Sequence, residues 1–132
     1  MMRPSLGIDV AAPSERAWQE LVELRRWPEW GPTVRSARLD DGGGRLYAGA
    51  TGSVQTTPGL WLPFRVDRFV DAGPVRMWSW RVAGVAATEH SVAMKDPSRC
   101  RVVMSVPWWA PAYLGVVAIA LRNIRRRAEA GL

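Results

Sequence analysis

The chain holds a single histidine, His90, and this is the side chain best suited to exchange a proton near neutral pH. Two-residue alternation from Ala87 to Met94 puts Thr88, His90, Val92 and Met94 on one face of a strand, with Glu89, Ser91 and Ala93 on the other. The first face is the more apolar and is expected to point inward. It would carry the imidazole into an interior where it can act as a general base or orient a carbonyl or hydroxyl. No nucleophile or carboxylate stands ready to pair with it, and a part-buried histidine held by a backbone partner accounts for the same pattern. Upstream, Met77-Trp78-Ser79-Trp80 places two tryptophans on one strand face, which offers flat apolar walls and ring N–H donors to a ring-bearing molecule; packing against a helix is their other use. Phe64 and Val66 alternate with Arg65 and Asp67. If Phe64 and Val66 face a cavity, Arg68 follows them to its mouth, where it would meet an acidic group, while Arg65 and Asp67 share the outer face and pair.

Other chemistries find little support. Ser53, Ser79, Ser91 and Ser105 lie in no nucleophile elbow. Cys100, the one cysteine, sits on a strand between two arginines, which excludes an intramolecular disulfide and fits a reducing, cytoplasmic setting. One histidine and no clustered carboxylates leave nothing to hold a catalytic metal, and no cofactor is expected.

The elements that must position these residues follow from periodicity and punctuation. Leu6 to Val10 alternates as a strand ended by Ala11-Ala12-Pro13. A helix is expected over Ser14–Leu24, capped by Ser14, with Ala17, Trp18, Leu21, Val22 and Leu24 on one face. Trp27-Pro28-Glu29-Trp30 reads as a second, short helix, and Trp18, Trp27 and Trp30 are assigned to packing these two helices. Turn residues then divide an antiparallel meander into strands near Val34–Leu39, Thr51–Thr57, Leu62–Asp71, Arg76–Ala83, Ala87–Lys95 and Arg99–Val106, and Met104 on the last is a further candidate to line a ligand site. From about Ala110 a long helix runs to Gly131. Its first two-thirds is apolar all round and expected to be buried. Ala112, Gly115 and Ile119 share a face with room beside the backbone, either for a neighbouring strand or for a ligand; in the second case they form, with Tyr113 and Val116, the helical side of a cavity.

At 132 residues, 48% of them hydrophobic, the chain fits one domain, residues 1–132, with a core large enough to need no staple. The net charge of +6 invites a nucleic-acid reading, yet Lys95 is the lone lysine and the arginines are scattered. The dense group Arg122, Arg125, Arg126 and Arg127 falls at a helix C-terminus, where cations complement the helix dipole. Nucleic acid is therefore not expected as a partner. Met1 to Gly7 lacks the apolar core of an export signal, and the apolar run Val106–Leu121 is broken by prolines and shorter than the ~18 residues of a membrane span.

The order of strand, two helices, meander and long C-terminal helix, together with Ile8-Asp9-Val10-Ala11-Ala12-Pro13-Ser14-Glu15-Arg16-Ala17-Trp18 and Trp27-Pro28-Glu29-Trp30, resembles the START-like (SRPBCC) superfamily, in its polyketide cyclase/dehydrase branch. The resemblance covers Ile8 to Glu129. It implies an α+β helix-grip fold, a curved antiparallel sheet around the C-terminal helix, enclosing a cavity for lipids, polyketides or similar molecules; it carries no universal catalytic motif. The expected function is binding of a hydrophobic or aromatic small molecule by a monomer or homodimer. The alternatives are a cyclase or dehydrase using His90 with Tyr113 or an arginine, and a lipid-binding protein whose Trp108-Trp109 and Arg122–Arg127 meet a membrane surface.

Overall fold

The structure is a computed structural model that describes residues 3–131. Met1 and Met2, where the reading for an export signal begins, and Leu132 lie outside the described residues. Among those described, the elements run β1 (Ser5–Val10), α1 (Ser14–Val22), α2 (Trp27–Trp30), β2 (Val34–Leu39), β3 (Thr51–Thr56), β4 (Trp61–Val70), β5 (Val75–Val82), β6 (Val85–Asp96), β7 (Arg99–Ser105) and α3 (Leu114–Ala130), with 3-10 turns at Leu24–Arg26 and Pro111–Tyr113.

The seven strands form one antiparallel sheet in the order β1-β7-β6-β5-β4-β3-β2, so the meander is continuous and the first strand closes onto the last. The sheet is curved and unclosed, and α3 lies across it against β1, β7, α1 and α2. This is the helix-grip fold. The core runs from Val10, Val102 and Cys100 through Trp18, Leu21 and Trp27 to Val117, Leu121 and Ile124. Burying large apolar side chains of this kind contributes about 1.5 to 3 kcal/mol each.

Several expectations need correction. Pro13, not Ser14, occupies the cap position of α1, and no side chain caps that helix. The first half of α3 is not buried all round: Val117, Ala120 and Leu121 face inward, whereas Ile119 is 43% exposed. The basic cluster does not simply emerge into solvent, because Arg127 donates to Glu20 Oε1 at 2.5 Å. Glu20 is wholly buried, and its Oε2 accepts from Arg26 at 2.5 Å, so this carboxylate ties the end of α3 to α1 and the turn after it. A second tie holds α1 to the sheet, where Trp18 donates its ring N–H to Asp71. The αL residue Gly131 ends α3, its N–H turned back to Ala128 and Arg127. No helix among the described residues is long and apolar enough to cross a membrane.

Candidate functional site: a two-chambered cavity between sheet and helix

Beneath the connection into α3, the concave face borders a partly open cavity of about 310 Å³. Val54 and Thr56 from β3 and Trp80 and Val82 from β5 line it by strand alternation, while the start of β6 lines it with four successive residues, Val85 to Thr88. Pro107, Trp109, Ala110 and Tyr113, from the connection into α3, form the opposite side. Behind it lies a smaller chamber of about 50 Å³, walled by Trp27, Trp30, Trp78, His90, Met104 and Val116 among others. Thr33, Val34, Trp80, Thr88 and Tyr113 border both spaces. At that boundary the Tyr113 hydroxyl and Thr33 Oγ1 are 2.9 Å apart, a hydrogen bond that clasps the start of α3 to the entry of β2.

The inner chamber is an aromatic box. Trp27 stacks on Trp78 with ring centroids 5.5 Å apart at 12°, and Trp80 stands edge-on to both. His90 belongs to the box as well, its ring lying against Trp78 at 4.0 Å and 21°. Thr88 Oγ1 accepts the Trp80 ring N–H at 3.0 Å and shares a 3.0 Å hydrogen bond with His90 Nε2. His90 Nδ1 has no well-aligned partner, only the nearby Trp78 backbone across the strand pair. Burial pushes the imidazole down to about 3, opposed by the Trp78 backbone and assisted by the charge of Arg3. His90 is therefore neutral at physiological pH and a weak base. Away from the cavity, burial pushes the Cys100 thiol up to about 11, with the Glu15 and Asp9 carboxylates adding to the rise.

Of the residues singled out from sequence, Trp78, Trp80, Thr88, His90, Met104, Tyr113 and Val116 border one chamber or both. Phe64 and Val66 are core residues behind the wall, Phe64 packing its ring on Trp27 and Trp80. Arg68 does not follow them inward. Val66 pairs with Trp80 but Arg68 with Ser79, so a bulge at Asp67 shifts the alternation: Arg68 turns to solvent and Phe69 inward. The same displacement leaves Asp67 bonded to Arg81 at 3.1 Å rather than to Arg65. Ala112, Gly115 and Ile119 are exposed, and a Cβ added at Gly115 would meet nothing within 4 Å. The notch they form is on the outer face of the helix.

Sequence reasoning missed the contributions of β2 and β3, and it gave Trp27 and Trp30 to helix packing alone. The signal for Trp109 was present: a tryptophan pair between two prolines, outside any element, is not explained by core packing. Trp108 is 63% and Trp109 55% exposed.

A curved sheet gripping a helix around an apolar cavity defines the class of helix-grip proteins. The chain belongs to the family described as "Polyketide cyclase / dehydrase and lipid transport", which it matches over residues 3–132. No curated protein matches it. Among solved structures, a hypothetical protein of Helicobacter pylori is similar with a TM-score of 0.77 at 13% identity, over 94% of this chain and 86% of that one. The di-domain ARO/CYC BexL superposes with a TM-score of 0.69 at 13% identity, over 98% of this chain and 47% of BexL. The di-domain ARO/CYC StfQ from the steffimycin biosynthetic pathway gives 0.70 at 13%, over 97% of this chain and 45% of StfQ. At such identities the likeness is one of fold.

Proposed function

We propose that the protein binds one hydrophobic small molecule, lipid- or polyketide-like in chemistry, in the cavity between the sheet and the connection into α3. The observation that carries this reading is the 310 Å³ space walled by Val54, Trp80, Val82, Ala86 and Trp109, at the lower end of the ~300 to 1,000 Å³ of small-molecule sites. That volume favours a compact ring system or a short chain over a two-chained lipid. The family description and the ARO/CYC neighbours support a ligand of this kind. His90 weighs against a cyclase that relies on an imidazole base, since at about 3 it would hold a proton poorly at neutral pH. In this reading His90 is part of the cavity wall.

The test is a titration with a naphthalene sulfonate, followed by tryptophan emission, because Trp80 and Trp109 border the space. Saturation at one probe per chain is expected, and Ala86→Phe, which projects a ring into the cavity, should weaken the probe more than tenfold while the protein stays folded. Equal affinity in both proteins would place the probe elsewhere and defeat the reading.

A further inference from the structure

The buried and half-buried tryptophans of this protein are served with hydrogen-bond acceptors, with one exception. The ring N–H of Trp18 reaches Asp71, that of Trp27 the carbonyl of Leu21, that of Trp30 the carbonyl of Glu20, and that of Trp80 the hydroxyl of Thr88. Trp78 is 1% exposed, its ring forms part of the inner chamber, and its Nε1–H meets no acceptor among the described residues. An unanswered buried donor costs about 1 to 3 kcal/mol, so its retention in the wall of a chamber calls for a function.

Building on the binding reading above, we infer that the inner chamber receives a carbonyl oxygen of the bound molecule, which accepts the Trp78 N–H while the apolar body of the molecule fills the outer cavity. The chamber's size fits this division. Its 50 Å³ takes a carbonyl group and its substituent, whereas the flat body needs the 310 Å³ space that continues from it past Trp80 and Thr88. The polar groups already there select the kind of oxygen. Thr88 and His90 Nε2 are committed to each other, and Thr88 also serves Trp80. His90 Nδ1 also lacks a well-aligned partner; with the imidazole proton on that nitrogen, toward the Trp78 backbone, it and the Trp78 ring N–H are both donors, and a ketone, aldehyde or quinone oxygen, which only accepts, suits them. Trp27 and His90 both stack on Trp78, so its ring is held in place before the molecule arrives.

The experiment compares 2-acetylnaphthalene with 2-ethylnaphthalene, which share a ring system and differ in the oxygen. On burial alone the ethyl compound, being more hydrophobic, should bind better. The inference expects the reverse, a preference for the ketone of tenfold or more in the wild-type protein, and a ratio near parity in Trp78→Phe, with ethylnaphthalene affinity changed less than threefold. A readout on the wild-type protein stands even if that variant folds poorly: in ¹⁵N-labelled protein, one buried indole N–H resonance should move downfield with the ketone and not with the ethyl compound. Two bound probes with equal affinity and no such resonance shift would overturn the inference and leave the cavity reading standing. A ketone preference that persists in Trp78→Phe would overturn it as well, by assigning the oxygen to another donor. Failure of both probes to bind would defeat the cavity reading itself, and this inference with it.

Discussion

Replacing His90 by phenylalanine should change how stability depends on pH more than it changes stability at neutral pH. The new ring keeps the stack on Trp78, and Thr88 keeps the Trp80 N–H as a partner. In the unfolded chain the imidazole takes up a proton near 6.5; in the folded protein it does so only near 3, because burial excludes the charged form. Between these values the unfolded state binds the extra proton, so stability present in full above pH 6.5 is lost as the pH falls toward 3. At 1.36 kcal/mol per pH unit, two units of that window between pH 7.5 and 4.5 amount to about 2.7 kcal/mol from this group alone. Urea unfolding followed by circular dichroism at several pH values in that interval gives both curves. Carboxylates such as Asp9 and Asp96 titrate in both proteins and cancel in the difference. Wild type should therefore lose about 2.7 kcal/mol more than His90→Phe on going from pH 7.5 to 4.5. Parallel curves, agreeing within about 0.5 kcal/mol across the range, would show that the imidazole is not held neutral by burial and would refute the argument.

Three further outcomes follow from other parts of the fold. Glu20→Gln should cost about 3 kcal/mol in chemical denaturation, since it breaks a buried carboxylate's bonds to Arg26 and Arg127 and loosens α3 from α1; an effect below 1 kcal/mol would mean the triad behaves as a surface pair. Gly115→Ala should raise stability by up to about 1 kcal/mol through helix propensity and leave naphthalene sulfonate affinity unchanged, because the position opens outward; weaker probe binding would put that helix face back in the cavity. Cys100 should resist a thiol-disulfide reagent at pH 8 until denaturant is added, since the thiol is buried and pushed up to about 11; immediate labelling of the folded protein would contradict both points.

Local patterning was enough to read the order of the strands and their bounds to within one or two residues, because apolar alternation and turn residues such as Ala72-Gly73-Pro74 and Asp96-Pro97-Ser98 act within a few residues of themselves. It also brought Trp78, Trp80, Thr88 and His90 to one face, since they stand near each other on paired strands. The tertiary structure decided the rest. A bulge at Asp67 is a one-residue event with no fixed signature, yet it sent Arg68 outward and broke the expected Arg65–Asp67 pair. For α3 the sequence offered apolar residues on every side, and only docking against β1, β7 and α1 chose Val117, Leu121 and Ile124 for burial, leaving Gly115 and Ile119 outside. Trp27 reached the cavity for a similar reason: its neighbours Phe64, Trp78 and Trp80 come from strands far along the chain. Faces of strands are set by period, which sequence carries; which side of a helix is buried, and which aromatics meet, is set by packing between segments that only the folded chain brings together.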